Sequence, residues 1–166
     1  HALVRRQRQM CIRDSFEALG LDAREELGLI ELNPNYRLVF GAGGSINAST
    51  DLEDMVSQIG ELCGEDNANG FRRYIEDNRT KLTLSKNCLN SPWRGPTDLI
   101  SRRALRVAKV LRPWRSVSSD LSKMFTDERM QLAMSFQTKY LGMSPFQAPS
   151  LFTILAYLEY EHGVFH

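Results

Sequence analysis

The stretch that decides the fold is Tyr36–Glu53, YRLVFGAGGSINASTDLE. YRLVF and SINAST are rich in β-branched and aromatic residues, and Gly41-Ala42-Gly43-Gly44 lies between them. This pattern predicts two short strands joined by a glycine turn, with glycine supplying positive φ. The glycines also resemble a phosphate-binding loop, and a strand precedes them. That chemistry needs a helix N-terminus directly after the glycines and a GxGxxG spacing. Neither is present, so the hairpin turn is the preferred reading. Thr50 and Glu53 read as a capping box opening a helix with Leu52, Met55, Val56, Ile59 and Leu62 on one face, ending at Gly64.

Working outward, LIEL at Leu29–Leu32 precedes the turn residues Asn33-Pro34-Asn35 and is expected to pair with YRLVF as a strand. Ser15–Leu27 predicts a short helix broken at Gly20. On the C-terminal side, Asp66 and Asn67 offer caps for a long helix carrying Phe71, Tyr74, Ile75 and Leu82, with Pro92 and Pro96 in the loop beyond it. From Thr97 the pattern is helical almost to the end, with breaks near Pro113, near Thr126 and across Gly142–Pro149. The fold class is α+β: a small antiparallel β element followed by a mainly helical region.

The chain has 166 residues, with 21 Lys+Arg against 20 Asp+Glu, which is one domain's worth of chain without the basic excess of a nucleic-acid binder. No uncharged apolar run is long enough for a membrane span. Cys11, Cys63 and Cys88 form no CxxC pair, which argues against a zinc site or a disulfide framework and favours reduced thiols. His1, His162 and His166 have no metal-triad spacing, and His162 reads as a cation at a helix C-terminus. Residues 1–14 lack periodicity. Within them RRQRQMCIRD (Arg5–Asp14) resembles translated sequencing-adapter sequence, so 1–14 is expected to be non-native and is set aside.

Two segments carry chemistry-bearing patterns. On a helical wheel, Thr97–Arg115 places Ile100, Ala104, Val107, Ala108 and Leu111 within an arc of about 100°. Arg102, Arg103, Arg106 and Lys109 gather opposite, and Trp114 sits at the end. Such a helix can pack on a core with its basic face in water. It can also lie in a membrane interface with its cations against anionic headgroups. Phe125–Phe165 is rich in large apolar side chains interleaved with Met124, Met130, Met134 and Met143. This suits a helical core, and it also suits a long apolar ligand.

SFQTKYLGMSPFQAPSLFTILAYLEYEHGVFH (Ser135–His166), NPNYRLVFGAGGSI (Asn33–Ile46) and RPWRSV (Arg112–Val117) are similar, in the same order, to bacterial phytoene desaturases of the FAD-dependent amine-oxidase-like superfamily. The resemblance implies an oxidoreductase that desaturates phytoene in carotenoid (lycopene) biosynthesis, in the cytoplasm at the membrane surface. It implies a non-covalent FAD that accepts hydride from an allylic C–H of a long polyene held in a dry apolar tunnel. The family's GxGxxG loop and its C-terminal FAD-contacting segment have no counterpart here. Residues 15–166 are therefore expected to be a partial substrate-binding and helical domain lacking the Rossmann-like FAD domain, inactive alone, with FAD bound by parts missing from this chain. Within it, Phe136, Tyr140 and Phe146 are expected to line the polyene channel, because they flank the Gly142–Pro145 break. Arg102, Arg103, Arg106, Lys109 and Trp114 are expected to meet the membrane. The aligned acid Asp98 is the candidate proton acceptor, with helix capping as its alternative role. Sister activities remain open: a C30 desaturase, a ketolase, an isomerase, or a non-catalytic helical module that binds lipid.

Overall fold

The structure is a computed structural model, and it describes residues 15–16, 18–89 and 108–166. β1 (Tyr36–Val39) and β2 (Ser45–Ala48) pair antiparallel, with Tyr36 opposite Ala48 and Val39 opposite Ser45. Gly43 and Gly44 take φ of 95° and 89° in the turn between them, where an L side chain would be strained. The period-two pattern sorts the faces: Ile46 and Ala48 are buried, whereas Arg37, Val39 and Asn47 are exposed. A Cβ on Gly44 would lie 2.3 Å from Leu62 Cδ1, so the missing side chain lets the turn close onto the following helix.

Leu29–Leu32 does not pair with β1. Its partner is the end of the chain: Glu31 bridges Phe165, Ile30 and His166 exchange backbone hydrogen bonds at 3.0 and 2.9 Å, and Leu32 N–H donates to Val164 O at 2.8 Å. Apolar alternation marks a segment as extended, but it does not name the strand that will satisfy its backbone groups.

The main helices among the described residues are α1 (Ala23–Leu27), α2 (Leu52–Cys63), α3 (Glu65–Leu89), α4 (Val117–Met124), α5 (Glu128–Ser135) and α6 (Ile154–His162). The 3₁₀ turns Phe136–Leu141 and Ser150–Thr153 precede α6. Asp51, not Thr50, caps α2: its carboxylate accepts from Glu53 N and Asp54 N at 2.9 and 3.1 Å. Glu53 turns outward to Arg72 instead of back to the cap, donor and acceptor lying 2.6 Å apart. Asn67 likewise does not cap α3. Buried within the first turn, it donates to Cys63 O at 2.7 Å and accepts from Thr126 N and Asp127 N at 3.0 and 3.1 Å. One amide thus closes the end of α2 and the α4–α5 turn together.

The apolar face of α3 (Phe71, Tyr74, Ile75) packs among Met55 and Ile59 of α2, Leu121 of α4, Phe125, Met130 and Met134, and Tyr157 and Tyr160 of α6. The chain breaks fall at residues 112–116, 125–127 and 142–149, where the sequence places them. Of the segment Thr97–Arg115, residues 108–115 are described: 108–111 are helical, but the helix ends there, and 112–115, Trp114 included, lie in the turn before α4, with Arg112 at φ 48°. No described helix is long and apolar enough to cross a membrane.

α3 meets α4 at Gly70, where a Cβ would stand 2.2 Å from the backbone oxygen of Met124. Because backbone cannot yield as a flexible side chain can, Gly70→Ala should destabilise the fold by about 1–3 kcal/mol. Urea denaturation followed by circular dichroism checks this, and an unchanged midpoint contradicts the close approach.

Candidate functional site

Two polar centres are built into this core. The first surrounds Lys81, which is 0% exposed on α3. Its ammonium lies 3.0 Å from Asp77 Oδ2, one helical turn back, and 3.7 Å from Asp120 Oδ2 on α4. It donates to Ser150 Oγ at 3.2 Å and to Thr153 Oγ1 at 3.0 Å. The Ser150 hydroxyl donates to Asp120, and the Thr153 hydroxyl donates to Asn78 Oδ1 at 2.6 Å. Arg112 pairs with Asp77 and places Nε 3.2 Å from Asp120, while Arg115 reaches the other Asp120 oxygen at 3.3 Å. Three cations thus share two carboxylates.

Burial opposes ionisation of Asp120, which is 2% exposed, but the Ser150 hydrogen bond and the nearby cations outweigh it and hold its pKa below the ordinary value. Burial pushes the Lys81 ammonium the other way, downward, against the attraction of Asp77. Arg112 has φ of 48°, an uncommon backbone state for a residue with a side chain. Its guanidinium, held by the two acids, maintains that bend. The cluster joins RPWRSV to Ser150 and Thr153, so two stretches that carried the sequence resemblance meet here.

The second centre is aromatic. Tyr36 meets Phe136 edge-on at 5.8 Å and Tyr160 at 6.5 Å, and Phe71 meets Tyr160 at 5.4 Å. Among these rings, Gln137 Nε2 donates to Glu159 Oε2 at 3.1 Å and to the Tyr36 hydroxyl at 3.3 Å. Asn35 Nδ2 donates to Glu159 O at 3.0 Å, tying the start of β1 to α6. Burial raises the pKa of the Tyr36 hydroxyl, and Tyr160 and Glu159 add to the shift. The Tyr160 hydroxyl is also raised, chiefly by burial. Both hydroxyls stay protonated at neutral pH.

Phe136 and Tyr140 share the 3₁₀ turn Phe136–Leu141 and are half-buried. The Lys139 ammonium stands 4.7 Å from the Phe136 ring centre and 5.4 Å from that of Tyr140. Phe146 is 75% exposed on the following loop, in different surroundings from the other two. A cleft of about 580 Å³ is lined by Glu31, Asn33, Asn35, Thr50, Asp51 and Asp54 among others, a polar lining unlike a polyene tunnel. Lys109 is exposed and Trp114 is 65% exposed. Asp98, Arg102, Arg103 and Arg106 lie outside the described residues. Among the described residues, no group of three His, Cys, Asp or Glu is placed to hold a metal ion.

The sequence reading missed Lys81, Asp77, Asp120, Gln137 and Glu159. The i,i+4 spacing of Asp77 and Lys81 was visible, but such pairs are commonly exposed. Nothing in the spacing says that Asp120 and Ser150 would bury this one.

The chain is similar over nearly all its length to proteins of one kind. It is 34% identical over 157 residues to a 4,4'-diapophytoene desaturase (4,4'-diapolycopene-forming) of Methylomonas sp, covering 92% of this chain and 30% of the relative. It is 31% identical over 160 residues to a phytoene desaturase of Neurospora crassa, covering 93% and 26% respectively. It is 29% identical over 145 residues to a 4,4'-diapolycopen-4-al dehydrogenase of Metabacillus indicus, covering 87% and 29%. The chain is a carotenoid-desaturase homologue. It spans under a third of the length of these curated relatives. No protein-family model matches it. In this homologue the resemblance of Asn33–Ile46, Arg112–Val117 and Ser135–His166 is part of a match that covers about nine-tenths of the chain.

The charge balance around Lys81 predicts an asymmetry. Asp120→Asn leaves three cations with one carboxylate and should cost about 3–5 kcal/mol. Lys81→Met leaves two of each sign in a similar volume and should change stability by less than about 2 kcal/mol. Chemical denaturation of both variants checks this, and equal losses would contradict the charge accounting.

Proposed function

We propose that this chain forms the substrate-facing part of a carotenoid desaturase, an oxidoreductase that removes hydrogen from a long apolar polyene precursor such as phytoene. The observation that supports it is the similarity, over about nine-tenths of the chain, to proteins named phytoene and diapophytoene desaturases. In this reading Phe136 and Tyr140 present ring surface to the polyene, and Asp98 accepts a proton from it. Desolvation beside an apolar substrate would raise a carboxylate's pKa toward a value useful for a base. The Arg102, Arg103, Arg106 and Lys109 face of the Thr97–Arg115 helix meets an anionic membrane surface, where a water-insoluble substrate would be found. A sister activity on a diapocarotenoid, including oxidation of an aldehyde, is the second reading, favoured by the relatives named for those substrates.

FAD is the cofactor that this reading implies. The described residues do not fit its pyrophosphate. A phosphate cradle needs a helix N-terminus after the glycines, and here Gly44 leads into β2. We therefore assign flavin binding to protein outside this chain. The isolated chain mixed with FAD should emerge from gel filtration without flavin absorbance; stoichiometric yellow protein would contradict the assignment.

The activity is tested in cells that accumulate either phytoene or diapophytoene. The longer polypeptide carrying this chain should convert one of them to a product absorbing at longer wavelength. Asp98→Asn should lower that conversion at least tenfold at unchanged protein and flavin content. Lack of conversion of either precursor contradicts the desaturase reading, and near-normal conversion by the Asn variant reduces Asp98 to a helix cap.

A further inference from the structure

Two surface loops distant in sequence are strapped together. Ser116 and Pro149 form an antiparallel bridge. Val117 N–H donates to Ala148 O at 2.8 Å, Ser118 N–H to Pro145 O at 3.0 Å, and Ser150 N–H to Arg115 O at 2.8 Å. Residues 112–118 are thereby held beside residues 143–150. The Asp120 carboxylate, buried behind the strap, accepts from Arg115 and Ser150 at its two sides.

Three large apolar side chains stand out from these loops: Trp114 at 65% exposure, Phe146 at 75% and Met143 at 38%. Apolar side chains of this size gain from leaving water, and the strap fixes the backbone that displays them. The charged side chains that the loops themselves carry have one sign. Residues 108–119 and 138–153 contain Lys109, Arg112, Arg115 and Lys139 but no Asp or Glu. Arg112 and Arg115 turn back to Asp120, whereas Lys109 and Lys139 are exposed.

We infer that this strapped pair of loops is an interfacial anchor, with Trp114 and Phe146 entering the headgroup–acyl boundary of an anionic bilayer and Lys109 and Lys139 facing its headgroups. Aromatic rings favour that boundary, and basic side chains gain from an anionic surface. A second copy of the chain fits less well, because a two-fold contact would set one basic rim against another. The inference rests on the reading that this protein works at a lipid surface. It adds a tertiary contact to the helix face legible in the sequence, and it moves Phe146 from the substrate channel to the membrane.

The test uses the full chain and vesicles of phosphatidylcholine with or without phosphatidylglycerol at low salt. Trp93→Phe leaves Trp114 as the single remaining tryptophan of the two in the sequence. Its emission should shift to the blue on mixed vesicles and be quenched by lipids brominated high on the acyl chain. Trp114→Ser and Phe146→Ser should each lower the co-sedimented fraction at least fivefold. Their melting temperatures should stay near the parent's, because both side chains are exposed. Unchanged emission, or parental binding by both serine variants, overturns the anchor. If changing Arg102, Arg103 and Arg106 to Glu abolishes binding while the serine variants bind normally, the lipid-surface reading stands and the anchor falls. If the parent binds no vesicles, both fall. A concentration-dependent dimer dissolved by Phe146→Ser would identify a second copy as the occupant and also overturn the anchor.

Discussion

The carboxylate of Asp120 is the constraint around which the C-terminal half is arranged. A buried acid is tolerated only when cations and hydrogen-bond donors surround it. Here the donors come from three separate places: Lys81 in the middle of α3, Arg112 and Arg115 at the turn before α4, and Ser150 in the 3₁₀ turn before α6. Satisfying one charge therefore fixes the relative position of three segments. It also sets the conformation of Arg112, whose backbone would otherwise avoid positive φ.

The aromatic centre works by a different principle. Its rings fill volume and tolerate rearrangement, and so by themselves specify register weakly. The polar atoms among them supply the register. Asn35 reaches the α6 backbone and Gln137 reaches the Glu159 carboxylate, so β1, the 3₁₀ turn and α6 align only one way. Lys139 over the outer rings closes this side with a cation. The interior is held by polar contacts in one geometry, whereas the large apolar groups Phe146 and Trp114 stand exposed on its surface.

Much of the local architecture was legible. The β1–β2 hairpin, the apolar faces of α2 and α3, and the breaks near Pro113, Thr126 and Gly142–Pro149 all follow from periodicity and turn chemistry that act within a few residues. The errors were equally local in character. Thr50 forms a recognisable capping pair with Glu53, but the Asp51 carboxylate reaches both Glu53 N and Asp54 N, and Arg72 draws Glu53 away. Leu29–Leu32, expected as a strand from its composition, is extended but forms only an isolated bridge at Glu31. Its pairing with Val164–His166 was not legible, since a partner more than a hundred residues away leaves no trace in local alternation.

The candidate site divides along the same line. Sequence by itself carried the similarity to carotenoid desaturases, through residues spread over nearly the whole chain. It also determined the element types, because those depend on side-chain spacing and on the preferences of glycine and proline. Only the tertiary structure decided that Lys81, Asp77 and Asp120 form one ion-pair cluster around the buried Lys81 and Asp120, and that Phe146 and Trp114 stand on loops tied by three backbone hydrogen bonds. Burial and charge pairing are properties of neighbours in space. Asp77 and Asp120, which share Lys81 and Arg112, are brought together by packing that the order of residues does not display.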